Sequence, residues 1–364
     1  MEKLKVLHII EALGGGVYSY FTDLSHVMGR DDRLEVFIAY SNKRKEINPD
    51  DVAKDFHPNC KLILLDLVKE INPLKDFQGY LEVKRCIKIV QPDAVHLHSS
   101  KAGILGRLAM RSFKNIPSFY TPHGYAFLRK DVSNKKRKFF KILEKNFARF
   151  SKTKTIACGD TEFEMASDID QGAILIRNGV DVKSLSQKYS PKQNIQPIVA
   201  IVGRITYARD PALFDKIALS LPEIQFKWIG DGELRELITA PNIEVSGWFT
   251  QRSKALEEMS QIDIYLQTSL WEGLPIALLE AMALKKPIVA TNIVGNKDLV
   301  VHGETGYLFT SEIEAVESIS ALLDRDMRIQ FGNKAFNRVN QLFNVQKNFK
   351  SMADHYLACC NKTS

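Results

Sequence analysis

Very little in this sequence points to a secreted, fibrous or membrane-spanning protein. Its 364 residues include only five cysteines, Cys60, Cys86, Cys158, Cys359 and Cys360. They are scattered, odd in number and form no Cys-x-x-Cys pair, so spacing offers neither a disulfide framework nor a zinc site. A reducing compartment is the expectation. Only 13 residues are proline, while 45% are hydrophobic, a balance that excludes long disorder. There is no internal repeat and no low-complexity tract. No apolar run approaches the roughly 18 residues of a membrane-spanning helix. The apolar stretch after Lys5 is broken by His8 and Glu11 and lacks a small-residue cleavage site, so it makes a poor signal peptide. At about 150 residues per domain, the length suggests two or three domains.

What the chain does have is charge of one sign in one place. The formal net charge is +7, yet residues 128–154 alone carry 11 basic and two acidic side chains. One segment therefore holds the whole excess. That argues against a general nucleic-acid surface and for a local basic face.

Short apolar runs alternate with helix-compatible stretches along the whole chain. In the first half they fall at 5–10, 36–39, 62–65, 94–97, 118–120 and 155–157. In the second they fall at 197–202, 226–229, 243–245, 264–266 and 288–290. Such alternation predicts mostly parallel sheets covered by helices. Polar residues and two prolines over about 181–196 read as a linker. The expected fold is α/β: two doubly wound, Rossmann-like domains facing a cleft, with ligands beyond the carboxyl ends of the strands. The expected N-terminal domain is 1–182. The expected C-terminal domain is 183–342.

Chemistry-bearing segments sit at the ends of several runs. Trp271-Glu272-Gly273-Leu274-Pro275-Ile276 leads into an apolar helix that carries Glu280. Pro275 suits a first helical turn, and the free N–H groups there suit an anion such as a diphosphate. Glu272 in the loop and Glu280 in the helix suit sugar hydroxyls, because a carboxylate accepts from vicinal O–H groups. Arg204 and Arg209 follow a strand directly and suit phosphate. Taken singly, each of these residues is as well read as a solvated surface charge; their positions favour a site. Gly14-Gly15-Gly16 follows the first strand. It lacks the third glycine of the dinucleotide fingerprint, since Ser19 stands there, so a nicotinamide cofactor is not expected. Instead its backbone can approach a phosphate or sugar closely.

Histidines cluster in the first half. His96 and His98 alternate along one strand and are read as facing opposite sides, His96 as a core residue. His123, between Pro122 and Gly124 at a strand tip, is the better site candidate. No regular spacing of ligands suggests a metal. In the basic segment, Phe139, Leu143, Phe147 and Phe150 fall near helical spacing. Lys135, Lys136, Lys138, Lys141, Lys145 and Arg149 occupy the other faces. Residues 134–154 therefore read as a helix with either a solvated basic face or a face against anionic lipid.

Taken together, these segments resemble glycosyltransferase family 4, the large retaining group with the GT-B fold. The resemblance spans nearly the whole chain. It rests on Gly14–Gly16, Pro122-His123-Gly124-Tyr125, Asn178-Gly179-Val180-Asp181, Gly203-Arg204 with a base at Arg209, Gly230-Asp231-Gly232-Glu233, Gly247-Trp248, and the pair Glu272 and Glu280. It implies a hexosyltransferase that uses a nucleotide sugar, UDP-linked by preference, with no metal or other cofactor. Arg204 and Arg209 would clamp the diphosphate. Glu280 would bind the ribose. Glu272 with Gly273, Leu274, Pro275 and Ile276 would hold the sugar. Gly230, Trp248 and Phe249 would flank the nucleotide, and Gly15 and Gly16 would approach from the first domain. His123 would contact the sugar at the reaction centre. His98, Ser99, Lys101 and Tyr125 are the implied acceptor contacts. The C-terminal stretch, 343–361, resembles the family's final helix, which crosses back to the N-terminal domain. One departure stands out: the family usually has Lys-Gly where this chain has Arg209-Asp210. The implied acceptor is a saccharide, lipid-linked on polyprenyl diphosphate or soluble, in capsule or O-antigen assembly. The implied location is cytoplasmic, peripheral to the inner membrane face, with no nucleic-acid partner. A nucleotide-sugar 2-epimerase of the same fold and a non-catalytic nucleotide-sugar-binding protein are the alternatives.

Overall fold

The computed structural model describes residues 2–11, 13–43, 49–68, 72–190, 194–249 and 251–360. The chain divides into two compact units. Unit 1 comprises Met1–Leu128, Ser133–Asn178 and Val345–Ser364; unit 2 comprises Arg129–Val132 and Gly179–Asn344.

In unit 1 the order is β1 (Leu4–Ile10), α1 (Gly16–Met28), β2 (Leu34–Tyr40), α2 (Pro49–Asp55), β3 (Lys61–Leu64), α3 (Pro73–Val90), β4 (Ala94–His98), α4 (Ser100–Met110), β5 (Ser118–Thr121), α5 (Asn134–Phe150), β6 (Lys154–Ala157), α6 (Asp160–Ser167) and β7 (Ile174–Leu175). The strands form one parallel sheet in the order β3-β2-β1-β4-β5-β6-β7. Chain direction along the sheet reverses between β1 and β4, so their carboxyl ends frame a topological switch point. The central strands are buried on both faces, as a covered parallel sheet requires.

Unit 2 follows with α7 (Val182–Lys188), β8 (Ile198–Val202), α8 (Pro211–Leu219), β9 (Gln225–Ile229), β10 (Ile243–Val245), α9 (Arg252–Ser260), β11 (Ile264–Gln267), α10 (Ile276–Ala283), β12 (Ile288–Thr291), α11 (Asn296–Leu299), β13 (Gly306–Phe309), α12 (Glu312–Ala321) and α13 (Arg325–Leu342). Its parallel sheet runs β10-β9-β8-β11-β12-β13, with the switch point between β8 and β11. The last helix, α14 (Val345–Cys360), returns to unit 1. There Phe349, Met352 and Tyr356 join the core formed by β1, β2 and α1.

Three expectations change. The stretch read as a linker is partly helical: Val182 and Leu185 of α7 are buried and Asp181 caps it through Ser184 N; residues 191–193 lie outside the described residues. β7 and β13 were not expected: β7 is only two residues, and Gly306 opens β13 without an apolar run before it. His96 and His98 lie on the same face of β4, their ring centroids 4.0 Å apart. A strand alternates with period two, so residues i and i+2 share a side.

Candidate active site

In unit 2 the tips of β8, β9 and β11 bring Gly203, Gly230, Arg209 and Glu272 together just before the start of α10. Two close approaches set the loop geometry. Gly203 has φ +131°, and a side chain at Gly230 would place Cβ 2.3 Å from the Gly203 carbonyl oxygen. That carbonyl also accepts from Trp228 Nε1 at 2.8 Å. The Arg209 guanidinium lies over Gly203, where an added Cβ would come within 2.7 Å of its Nε. Arg209 also lies 3.7 Å from Glu272 Oε1 and 3.5 Å from Gln267 Oε1. Glu272 Oε1 accepts from Gln267 Nε2 at 2.9 Å and Ser269 Oγ at 2.8 Å. Gln267 is fixed in turn by Tyr265, whose hydroxyl donates to its Oε1 at 2.9 Å. Arg204 is half-buried on the same loop.

Beside these groups α10 begins. Pro275 takes the N-cap position, one residue earlier than expected, and no side chain caps the first turn. Backbone N–H groups and the positive end of the helix dipole therefore lie next to Glu272 and Gly273. Leu274 and Ile276 are buried. Beyond the end of β10, Trp248 is 46% exposed and Phe249 is half-buried.

The departure at Asp210 has a structural answer. Its backbone is left-handed, φ +48° and ψ +67°, the conformation a glycine takes without cost. Aspartate tolerates it because its side chain caps α8, accepting from Leu213 N at 3.2 Å. Glu280 is only 6% exposed and pairs with Arg252, which donates through Nε at 2.8 Å and approaches with its second nitrogen at 2.6 Å. Arg252, Gln267 and Ser269 were not found by sequence reasoning. The last two flank Glu272 within five residues, a signal hidden because neither type is charged.

In unit 1 the switch point is built from histidines. β1 and β4 pair in register His8↔His96, and β5 lies on the other side of β4. His8 Nδ1 is 3.0 Å from His98 Nε2, and His98 Nδ1 is 3.0 Å from His123 Nε2. His96 bonds Tyr356 Oη at 2.5 Å and Thr121 Oγ1 at 2.8 Å. His8, His96 and His98 are fully buried. Burial lowers His8 and His123 to about 3 and holds His96 and His98 well below the usual imidazole range. All four are therefore neutral at pH 7. His8, His96 and His98 also group closely enough to hold a metal ion, which spacing in the sequence did not suggest. Among their six ring nitrogens, however, only His8 Nε2 lacks a polar partner. The cluster is thus a hydrogen-bonded network in this structure.

His123 has φ +53°, rare for a side-chain-bearing residue. Buried Glu162, another residue not anticipated, pins the loop from below, accepting from Gly124 N at 2.8 Å and Cys158 N at 2.8 Å. Gly15, with φ +56°, leads into α1, whose start also carries no side-chain cap. Its neighbour Gly16 is the first helical residue. The four residues expected as acceptor contacts have these surroundings within unit 1. His98 is buried in the network and Tyr125 is buried against Phe127. Ser99 donates to Glu11, while Lys101 donates to the Val68 carbonyl at 2.7 Å and pairs with Asp76 at 2.6 Å.

Helix α5 is anchored from beneath by Glu144, which pairs with buried Arg107 at 2.8 Å and accepts from Tyr120 Oη at 3.1 Å. Its outer face differs from expectation. Phe139 and Phe150 are not on the packed side: with Ile142 they are 55–75% exposed. Lys135, Lys138 and Arg149 share that exposed face at helical spacing.

Comparison with known proteins covers both units. Residues 14–184 match the family model described as Glycosyltransferase Family 4, and residues 183–338 match Glycosyl transferases group 1. The chain belongs to glycosyltransferase family 4. This glycosyltransferase is 29% identical over 328 residues to the UDP-Gal:alpha-D-GlcNAc-diphosphoundecaprenol alpha-1,3-galactosyltransferase of Escherichia coli, covering 80% of this chain and 82% of that protein. It is 23% identical to the capsular polysaccharide biosynthesis glycosyltransferase CapM of Staphylococcus aureus, covering 79% and 84% of the two chains. Anabaena HepE, solved with UDP and glucose, superposes with a TM-score of 0.78 at 18% identity, covering 97% of this chain and 99% of that one, and shares the GT-B fold.

Proposed function

We propose that this glycosyltransferase moves a hexose or N-acetylhexosamine from a UDP-sugar to a saccharide on polyprenyl diphosphate, with retention of configuration, during surface-polysaccharide assembly. The observation that carries the reading is the array in unit 2. Arg209 and Glu272 are held side by side next to the uncapped start of α10. Breaking the bond between sugar and diphosphate places new negative charge on the leaving group. Arg204, Arg209 and the α10 N–H groups supply a fixed positive potential for that charge. Glu272 accepts from sugar hydroxyls, Glu280 from ribose hydroxyls, and Trp248 and Phe249 flank the base. Gly15 and Gly16 let the backbone of unit 1 approach the donor, and His123 contacts its sugar. No resident metal or cofactor is assigned.

The acceptor and the UDP donor are supported by the E. coli relative's name, and the polysaccharide setting by the S. aureus relative's. Among the described residues no helix is long and apolar enough to cross a membrane. A lipid-linked acceptor then requires the enzyme to work at a membrane face. The exposed face of α5, with apolar side chains set among bases, has the composition of an interfacial helix.

The test is release of free nucleotide from UDP-, GDP- and ADP-sugars, with and without polyprenyl-diphosphate saccharide. Acceptor-dependent release from the UDP-sugar, with product of retained anomeric configuration by NMR, is the expected result. No acceptor-dependent release, with a second nucleotide sugar formed in its place, would favour the epimerase.

A further inference from the structure

The histidine chain of unit 1 has a direction, and that direction determines what His123 offers a ligand. Each of His8, His98 and His123 is neutral, so each ring carries one N–H and one lone pair. The contacts His8 Nδ1 to His98 Nε2 and His98 Nδ1 to His123 Nε2 both require one donor and one acceptor. Only two arrangements satisfy both contacts: every ring protonated on Nδ1, or every ring protonated on Nε2. The far end of the chain separates them. His8 Nε2 is fully buried and has no polar partner. With the protons on Nε2, that buried N–H would be orphaned. With the protons on Nδ1, only a lone pair is left unused, and buried N–H groups without an acceptor are the rarer of the two.

We infer that His8 and His98 are positioning residues that hold His123 in its Nδ1–H tautomer, so that His123 meets the donor sugar as a hydrogen-bond donor. The inference rests on the proposed contact between His123 and that sugar. Packing keeps the rings from turning over. Tyr20 lies edge-on to His123 at 4.7 Å between centroids, Phe21 lies edge-on to His98 at 4.8 Å, and His98 and His123 stack at 19°. A tautomer fixed before substrate arrives costs nothing to select during the reaction.

The test begins with long-range proton–nitrogen NMR of the full chain carrying 15N-labelled histidine. The expected spectrum shows His8, His98 and His123 all protonated on Nδ1; protonation of His123 on Nε2 overturns the inference. Two variants add a functional readout. His98→Leu removes the N–H that faces His123 and is expected to lower kcat about 10-fold, with KM for the donor changed less and His123 now showing both tautomers. His98→Asn, whose amide N–H stands near the Nδ1 position, is expected to restore most of the rate and the single tautomer. Equal loss in both folded variants would reduce His98 to a packing role and overturn the inference. Wild-type turnover in His123→Ala would instead refute the sugar contact itself, and with it the purpose assigned to the chain. An Nε2–H spectrum alongside an impaired His123→Ala would sink the tautomer assignment alone.

Discussion

The two units share an architecture and differ in chemistry. Each is a parallel sheet with a switch point between two central strands, β1 and β4 in one, β8 and β11 in the other. Unit 1 fills that region with buried, neutral imidazoles. Seven of the eight histidines fall within its segments, leaving His302 to unit 2. Unit 2 places charges there instead: Arg209 and Glu272 beside a helix start, and Arg252 on Glu280. The difference teaches how one scaffold serves two tasks. A neutral network orients hydrogen bonds without counterions. The charge at Arg209 instead lies near the strand tips, where it is partly solvated and so less costly to hold than a buried one.

The largest expected consequence is a difference in acid stability. An unfolded histidine takes up a proton near pH 6.5, whereas folded His8 resists until about pH 3. Between those values the unfolded state holds more protons, so stability falls as pH falls. Each fully buried histidine costs up to about 1.4 kcal/mol per pH unit in that window. His8, His96 and His98 all belong to unit 1. All three tryptophans, Trp228, Trp248 and Trp271, belong to unit 2. At pH 5, urea unfolding followed by far-UV circular dichroism should therefore begin before the change in tryptophan fluorescence, with the two closer together at pH 7.5. Coincident curves at both pH values would break the contrast between the units.

Next in size is the charge array of unit 2. Arg209→Ala is expected to lower turnover about 100-fold, the scale of losing one fixed donor to a developing charge. The unfolding midpoint should hardly move, because the guanidinium is partly exposed and its ion pair is long. Wild-type turnover in this variant would remove the clamp from the mechanism.

Much of this was legible in the sequence, for physical reasons. Apolar runs ending in glycine mark strand tips, so the α/β class and the segment 271–280 could be read directly. Contacts between distant strands could not. His8 and His96 meet only because β1 and β4 pair in register, 88 residues apart. Arg252 reaches Glu280 from another helix. The outer face of α5 was misassigned because Phe139 and Phe150 have the helical spacing of packed residues. Glu144, the residue that fixes which side packs, looks like a surface charge until Arg107 is placed beneath it.

That outer face belongs to unit 1 and gives it a second contrast with unit 2. Changing Lys135, Lys138 and Arg149 together to glutamine removes three cations, each worth up to about 1 kcal/mol near an anionic surface. Partition onto anionic vesicles should fall by roughly 100-fold, with donor binding unchanged. Full binding to the same vesicles would leave this face merely solvated.

The smallest expected effect concerns Glu280. Alanine would confound the measurement, because it leaves the Arg252 guanidinium beside a hole. Glutamine keeps the volume and one carbonyl acceptor while removing the charge. If Glu280 grips ribose hydroxyls, Glu280→Gln should weaken nucleotide-sugar binding about 10-fold by calorimetry, since a bond to a charged acceptor is worth about twice a neutral one. The unfolding midpoint should fall only slightly, because Arg252 is itself partly exposed. Unchanged affinity would show that Glu280 serves Arg252 alone, and the ribose would then have to be held by other groups of unit 2.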